Sequence, residues 1–208
     1  MNLIAITFTS FIIAFSGALT PGPLFALTIE HSLKKGFKAG PLLIVGHGIL
    51  EILVILLIIA GFGDILKRRE VFILLSIIGG TLLVWMGQGM IRKKVDMEVE
   101  SKGMVKSSIL GGIIASVSNP YWIIWWATIG MTYLVFAYPY GLKGIFLFFL
   151  GHILADFTWY SFVSFSISKG RGKISPSLYK GLLYGCGIFL IGFGIWLVGK
   201  GFLTNLRS

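Results

Sequence analysis

Four side chains carry most of the acid–base and ligand chemistry available to this apolar chain of 208 residues. They are His47 and Glu51, matched 105 positions later by His152 and Asp156. In Gly46-His47-Gly48-Ile49-Leu50-Glu51 and in Gly151-His152-Ile153-Leu154-Ala155-Asp156 a glycine precedes the histidine, and the carboxylate follows four residues after it. That spacing puts each pair on one helix face. Both pairs lie deep in apolar runs, where an ionised carboxylate costs at least about 2.5–3.5 kcal/mol. Such a group must face the bundle interior, take a partner or hold a proton. Two pairs that only fix helix packing would meet that demand. So would an ammonium site, a proton relay through His47, Glu51, His152 and Asp156, or a metal site of two imidazoles and two carboxylates.

A second kind of chemistry comes from the backbone. Ser16-Gly17-Ala18-Leu19-Thr20-Pro21-Gly22-Pro23 interrupts one apolar stretch, and Ser116-Val117-Ser118-Asn119-Pro120 interrupts another. Each proline removes an N–H and clashes with the carbonyl four residues back, here those of Gly17 and Leu19 in the first break. In hydrocarbon such a break survives only where protein packs it or where it lines a polar cavity. The half-helices beginning at Pro23 and Pro120 present free N–H groups and a positive dipole end, which suit an anion such as a carboxylate. Thr20, Gly22 and Asn119 stand at the breaks to contact a solute, and Asn119 can both donate and accept. Tyr121, Trp122, Trp125 and Trp126 follow directly. They begin too deep for an interfacial belt, so they read as packing or as a cavity wall, with Trp125 the one to test.

These residues need helices that cross a bilayer, and the composition supplies them. The chain is 56% hydrophobic and 12% charged, with mean hydropathy +0.90. Six runs reach the roughly 20 apolar residues of a spanning helix: Leu3–Ile29, Leu42–Gly63, Val71–Ile91, Ser108–Ala137, Gly144–Ser168 and Leu178–Leu203. The expected fold is an all-α membrane protein, one transmembrane domain over residues 1–208. Its repeats cover about 1–95 and 105–208, and the first helix of each is broken at proline. The Gly-His motifs recur at offset 105, the breaks at about 98 (Gly22 to Pro120), and Gly80, Gly87 and Gly89 match Gly192, Gly199 and Gly201 at 112. Three spans per repeat is an odd number, so the repeats must be inverted about an axis in the membrane plane.

The net charge of +10 reads as topology rather than nucleic-acid binding. Twelve of the 18 Lys and Arg fall in the 1–2, 3–4 and 5–6 connections, from Lys34, Lys35 and Lys38 to Lys180. By the positive-inside rule both termini are then outside. Lys67, Arg68 and Arg69 are the main counterweight. The first apolar stretch has no basic region ahead of it and exceeds a signal core, so it is expected to stay in the mature protein. Cys186 is the sole cysteine, which rules out an intramolecular disulfide. No nucleophile–base constellation is present, so an enzyme is not expected. A membrane scaffold without a transport cycle would gain nothing from broken helices.

The Pro-Gly-Pro at 21–23 with Gly36 and Gly40 after it, the Gly-rich second and third spans and the Asn-Pro at 119–120 resemble the LysE/RhtB family of amino-acid exporters. The resemblance covers essentially the whole chain. It implies export of amino acids or close derivatives across the cytoplasmic membrane of a prokaryote, coupled to protons or another gradient, without a cofactor. Pro21, Gly22, Pro23, Asn119 and Pro120 match its motif positions. The partners expected are an amino-acid substrate and the lipid bilayer, with room for a homodimer. Two positions depart from the family pattern. Tyr121 follows the Asn-Pro where many members have Lys, and His47 follows the second-span glycine where an acid is common. The wider superfamily includes divalent metal carriers, the alternative reading for the His–carboxylate set, and thiol–redox domains, which need paired cysteines.

Overall fold

In the computed structural model, residues 2–62, 68–92, 107–170 and 176–206 are described, and every regular element among them is helical. The elements are α1 (Leu3–Ala18), α2 (Pro23–Lys35), α3 (Ala39–Leu57), α4 (Arg69–Arg92), α5 (Ser108–Val117), α6 (Pro120–Trp125), α7 (Met131–Ala137), α8 (Gly141–Lys169) and α9 (Pro176–Leu206). A π-helical turn, Ile58–Phe62, ends α3, and a second, Trp126–Gly130, joins α6 to α7.

Local chemistry sets the ends. The Asn2 side chain accepts from the Ala5 N–H at 2.8 Å, and Ser107 accepts from Leu110 at 3.3 Å. Pro23 and Pro120 each take the first helical position, where a missing N–H costs nothing. Gly36 leaves α2 at φ +78°, a conformation that L side chains rarely adopt.

The apolar surface is turned outward, as lipid requires. Ile4 is 81% exposed and Leu142 82%, with Phe8, Trp85 and Phe162 also well exposed, while all three histidines and the acids Glu51 and Asp156 are buried in a mainly apolar interior. Among the described residues four helices are long and apolar enough to cross a membrane, or five if the α1–α2 pair counts as one broken span. That pair bends by 82°, so the first expected break is a true one. The expected six spans are not resolved one by one. α5 has ten residues, about 15 Å at 1.5 Å each, and falls short alone. The helical run from Tyr121 to Lys169 has 49, about 74 Å by the same rise, and turns at Gly141, where φ is +60°. The first span also runs past Ile29 to Lys35, so Lys34 and Lys35 stand in the last turn of α2 rather than in a loop. Lys67, Lys93, Lys94, Lys102, Lys106, Arg171, Lys173 and Arg207, on which much of the terminus assignment rests, lie outside the described residues.

Three helix pairs hold the bundle: α1 on α8, α3 on α5, and α4 on α9. The first two meet in matching ways. Gly46 lies against the Ile109 carbonyl, and Gly151 against that of Thr7. Gly112 lies against the Leu43 carbonyl, and the Ser10 hydroxyl donates to that of Phe148 at 3.0 Å. One offset, 102, carries Thr7 to Ile109 and Ser10 to Gly112. Another, 105, carries Leu43 to Phe148 and Gly46 to Gly151. The third pair is antiparallel, with Gly80 facing Gly194 and Gly87 facing Gly187. Gly192 and Gly199, matched to Gly80 and Gly87 by spacing, meet nothing within 4 Å. The correspondence between α4 and α9 is therefore 107, not 112.

A Cβ at Gly80 would sit 2.6 Å from the Gly194 carbonyl oxygen, and backbone cannot step aside. Gly80→Val is expected to destabilise by about 1–3 kcal/mol, read as a lower unfolding midpoint in detergent. Gly192→Ala is expected to leave that midpoint unchanged or raise it.

Candidate functional site

The two Gly-His motifs place their polar side chains on the inner faces of α3 and α8, which pack on each other. Glu51 is twelve residues into α3 and Asp156 fifteen into α8, about 18 and 22 Å from the helix starts. His47, Glu51, His152 and Asp156 are all buried, and they form one group rather than two separate pairs. His152 Nε2 lies 2.8 Å from Glu51 Oε1, and His47 Nε2 lies 3.1 Å from the same oxygen. Asp156 Oδ2 stands 3.5 Å from His152 Nε2 and 3.8 Å from His47 Nε2. The shortest contact thus joins the two motifs rather than running within either.

An ionised carboxylate only accepts, so while Glu51 is ionised both ring nitrogens facing it carry hydrogens. Trp126 Nε1 donates to the same oxygen at 3.3 Å. Glu51 Oε2, Asp156 Oδ2 and His152 Nδ1 make no hydrogen bond with the described residues. The far nitrogen of His47 is answered: its Nδ1 lies 2.7 Å from Ser116 Oγ, and that hydroxyl lies 2.7 Å from the Gly112 carbonyl. The Ser116 proton can turn to a bare Nδ1 or to Gly112, so Ser116 serves His47 with or without a proton there. At the 102 offset Ser116 corresponds to Ala14, which has no hydroxyl, and this is why His152 Nδ1 has no matching partner.

The helix breaks face the same space. One cavity of about 50 Å³ is lined by Thr20, Gly22 and Asn119 from the breaks and by His47, Glu51, His152 and Asp156. A Cβ on Gly22 would lie 3.4 Å from Asn119 Nδ2, so the two breaks abut. The α2 start carries no side-chain cap at Gly22. Asn119 caps its own helix, accepting from the Tyr121 N–H at 3.2 Å. On the carbonyl side, the Thr20 N–H takes Gly17 O at 3.1 Å, so one carbonyl expected to lose its partner finds another. Tyr121 Oη donates to Ser16 O at 3.1 Å, and Trp125 Nε1 to Ser16 Oγ at 3.0 Å.

Of the expected site residues, Thr20, Gly22, Glu51, Asn119, Trp125 and Asp156 line the cavity together with both histidines. Pro21, Pro23 and Pro120 shape the breaks beside it and are not among its lining residues. Trp125 is buried, with its ring centroid 4.8 Å from that of His152. Trp126 on Glu51 and the cavity-lining Tyr160 were not assigned to the site from sequence. His31, buried 2.9 Å from Ser108 Oγ, lies outside it.

The model of the family described as "LysE type translocator" matches residues 15–201. This chain belongs to the LysE type translocator family. Its members are transporters rather than enzymes, and with its apolar helices the chain is a multi-pass membrane protein. It is similar to "Chemotactic transduction protein ChpE" of Pseudomonas aeruginosa, 25% identical over 195 residues covering 91% of this chain and 96% of the relative. It is also similar to "Putative amino acid efflux protein YcgF" of Bacillus subtilis, 24% identical over 200 residues covering 93% and 96%. No solved structure matches significantly.

Within this LysE-type translocator the Trp126 indole is a buried donor to a buried carboxylate. Trp126→Phe keeps the ring and removes the donor. It is expected to cost about 1–3 kcal/mol, checked by unfolding in detergent, whereas Trp85→Phe on the lipid face is expected to cost far less.

Proposed function

We propose that this translocator exports amino acids or close derivatives across the cytoplasmic membrane of a prokaryotic cell, coupled to inward proton movement. The observation that carries the reading is one cavity with helix-break backbone on one side and two carboxylates on the other. An amino acid has the complementary charges. Its carboxylate meets the uncapped N–H groups at the start of α2, and its ammonium meets Glu51 or Asp156. The Pro120 end contributes less to the carboxylate, because Asn119 already holds the Tyr121 N–H. The Bacillus subtilis relative, whose printed name specifies amino acid efflux, supports the substrate class. Metal as the transported cargo is not favoured by these relatives.

Proton coupling follows from charge counting. With both carboxylates ionised, the buried group is neutral only when its histidines hold two protons, and hydrocarbon penalises any other count. An entering ammonium therefore displaces a proton, and a proton arriving from outside releases the ammonium. Ser116, which can serve His47 in either state, suits that exchange.

The matching contacts of α1–α8 and α3–α5 support an inverted repeat with six crossings. The proposed crossings are α1 with α2, α3, α4, α5 through α7, α8 and α9, and both termini lie outside. A cavity of about 50 Å³ holds a few waters. An amino acid needs the broken helices to part first, as in an alternating cycle.

The test is efflux from preloaded proteoliposomes. An acidic exterior is expected to speed amino-acid release from the wild type, and Glu51→Gln and Asp156→Asn are each expected to slow it at least tenfold. Normal release by both variants would remove the mechanism, and indifference to the pH gradient would remove the coupling.

A further inference from the structure

We infer that His47, Glu51, His152 and Asp156 form a binding site for a divalent transition-metal ion, and that a bound ion closes the translocator. One ligand atom from each of the four lies within 4.8 Å of all the others. The four histidine–carboxylate distances, 3.1, 3.8, 2.8 and 3.5 Å, average about 3.3 Å. Four atoms with such edges surround a centre about 2.0 Å away if tetrahedral and about 2.3 Å away if flat, which brackets zinc's bond lengths to nitrogen and carboxylate oxygen.

The donor set selects the metal class. Two imidazoles with two carboxylates suit zinc, cobalt, iron or manganese. Calcium and magnesium take oxygen ligands throughout, whereas half of the donors here are imidazole nitrogens. Glu51 Oε2 and Asp156 Oδ2 are buried without a hydrogen bond among the described residues, leaving acceptor capacity for a cation. Ser116 behind His47 Nδ1 supplies the outer contact that commonly orients a histidine ligand. The group lines the cavity below the helix breaks, which gives an ion its way in.

Charge favours the exchange. One dication with two neutral imidazoles and two carboxylates leaves the buried group neutral, as two protons do. Binding therefore releases up to two protons and creates no net charge in hydrocarbon. The site itself stands on this geometry alone. The closing effect rests on the transport reading, because the ion occupies the groups assigned there to the proton and the ammonium.

Cobalt(II) added to purified protein in detergent is the direct probe. The expected result is an intense blue absorbance at one ion per chain, bleached by zinc, with proton release visible in weakly buffered solution. His152→Ala and Glu51→Gln are expected to abolish the band, and His31→Ala to keep it. A pale octahedral spectrum, no proton release, or a band retained in both cluster variants would overturn the site. The wild-type spectrum and proton count decide even if a variant fails to fold. Zinc is further expected to cut amino-acid release from proteoliposomes at least tenfold, with a chelator restoring it. Cobalt bound while zinc leaves release untouched would keep the site and overturn the closing effect.

Discussion

Hydrocarbon offers no water to a buried charge or an unpaired backbone group, and the arrangement of this chain follows from that single constraint. Glu51 cannot be satisfied by one neighbour on its own helix, so α3 and α8 turn their polar faces to each other and share His47, His152 and Asp156. The Trp126 indole adds a third donor at Glu51 Oε1. Glycine makes the enclosure narrow enough. Gly46 and Gly112 let α3 and α5 meet backbone to backbone, and Gly151 does the same for α8 on α1. The breaks at Thr20–Pro23 and Ser118–Pro120 are tolerated because they abut each other over the same cavity.

Much of the frame was legible in the sequence because hydropathy reads lipid contact directly. The starts and ends expected for spans two, three, five and six fall within a few residues of α3 with its π turn, α4, α8 and α9. The Pro-Gly-Pro break was legible because two prolines forbid a continuous helix. The π turn at Trp126–Gly130 was not, since nothing there interrupts the apolar run, whereas the division at Gly141 falls between the expected ends Ala137 and Gly144. The offset of 112 between the glycines of the third and sixth spans rested on spacing alone. Gly187 and Gly194 are seven residues apart, and so are Gly192 and Gly199, so spacing alone cannot choose which pair is the repeat counterpart of Gly80 and Gly87.

The site was half legible. Spacing of four put each histidine and its acid on one face, but spacing reports neighbours on the same helix only. The contact between His152 and Glu51 is a tertiary fact. Trp126 escaped because one tryptophan among several reads as filling until its N–H is seen to point at a carboxylate. The difference between the halves, Ser116 behind His47 against Ala14 near His152, needed the helix pairing before the two positions could be compared. That asymmetry gives the two histidines unequal surroundings within an otherwise repeated frame.

The central claim is that side chains 101 residues apart, Glu51 and His152, share one buried contact between α3 and α8. A double-mutant cycle with Glu51→Gln, His152→Gln and the double variant, read as unfolding free energy in mixed micelles, tests it most directly. The account requires the two losses to be non-additive by at least about 1 kcal/mol, because either change alone strands the other partner. Losses that add within about 0.5 kcal/mol would place the two groups apart and contradict it.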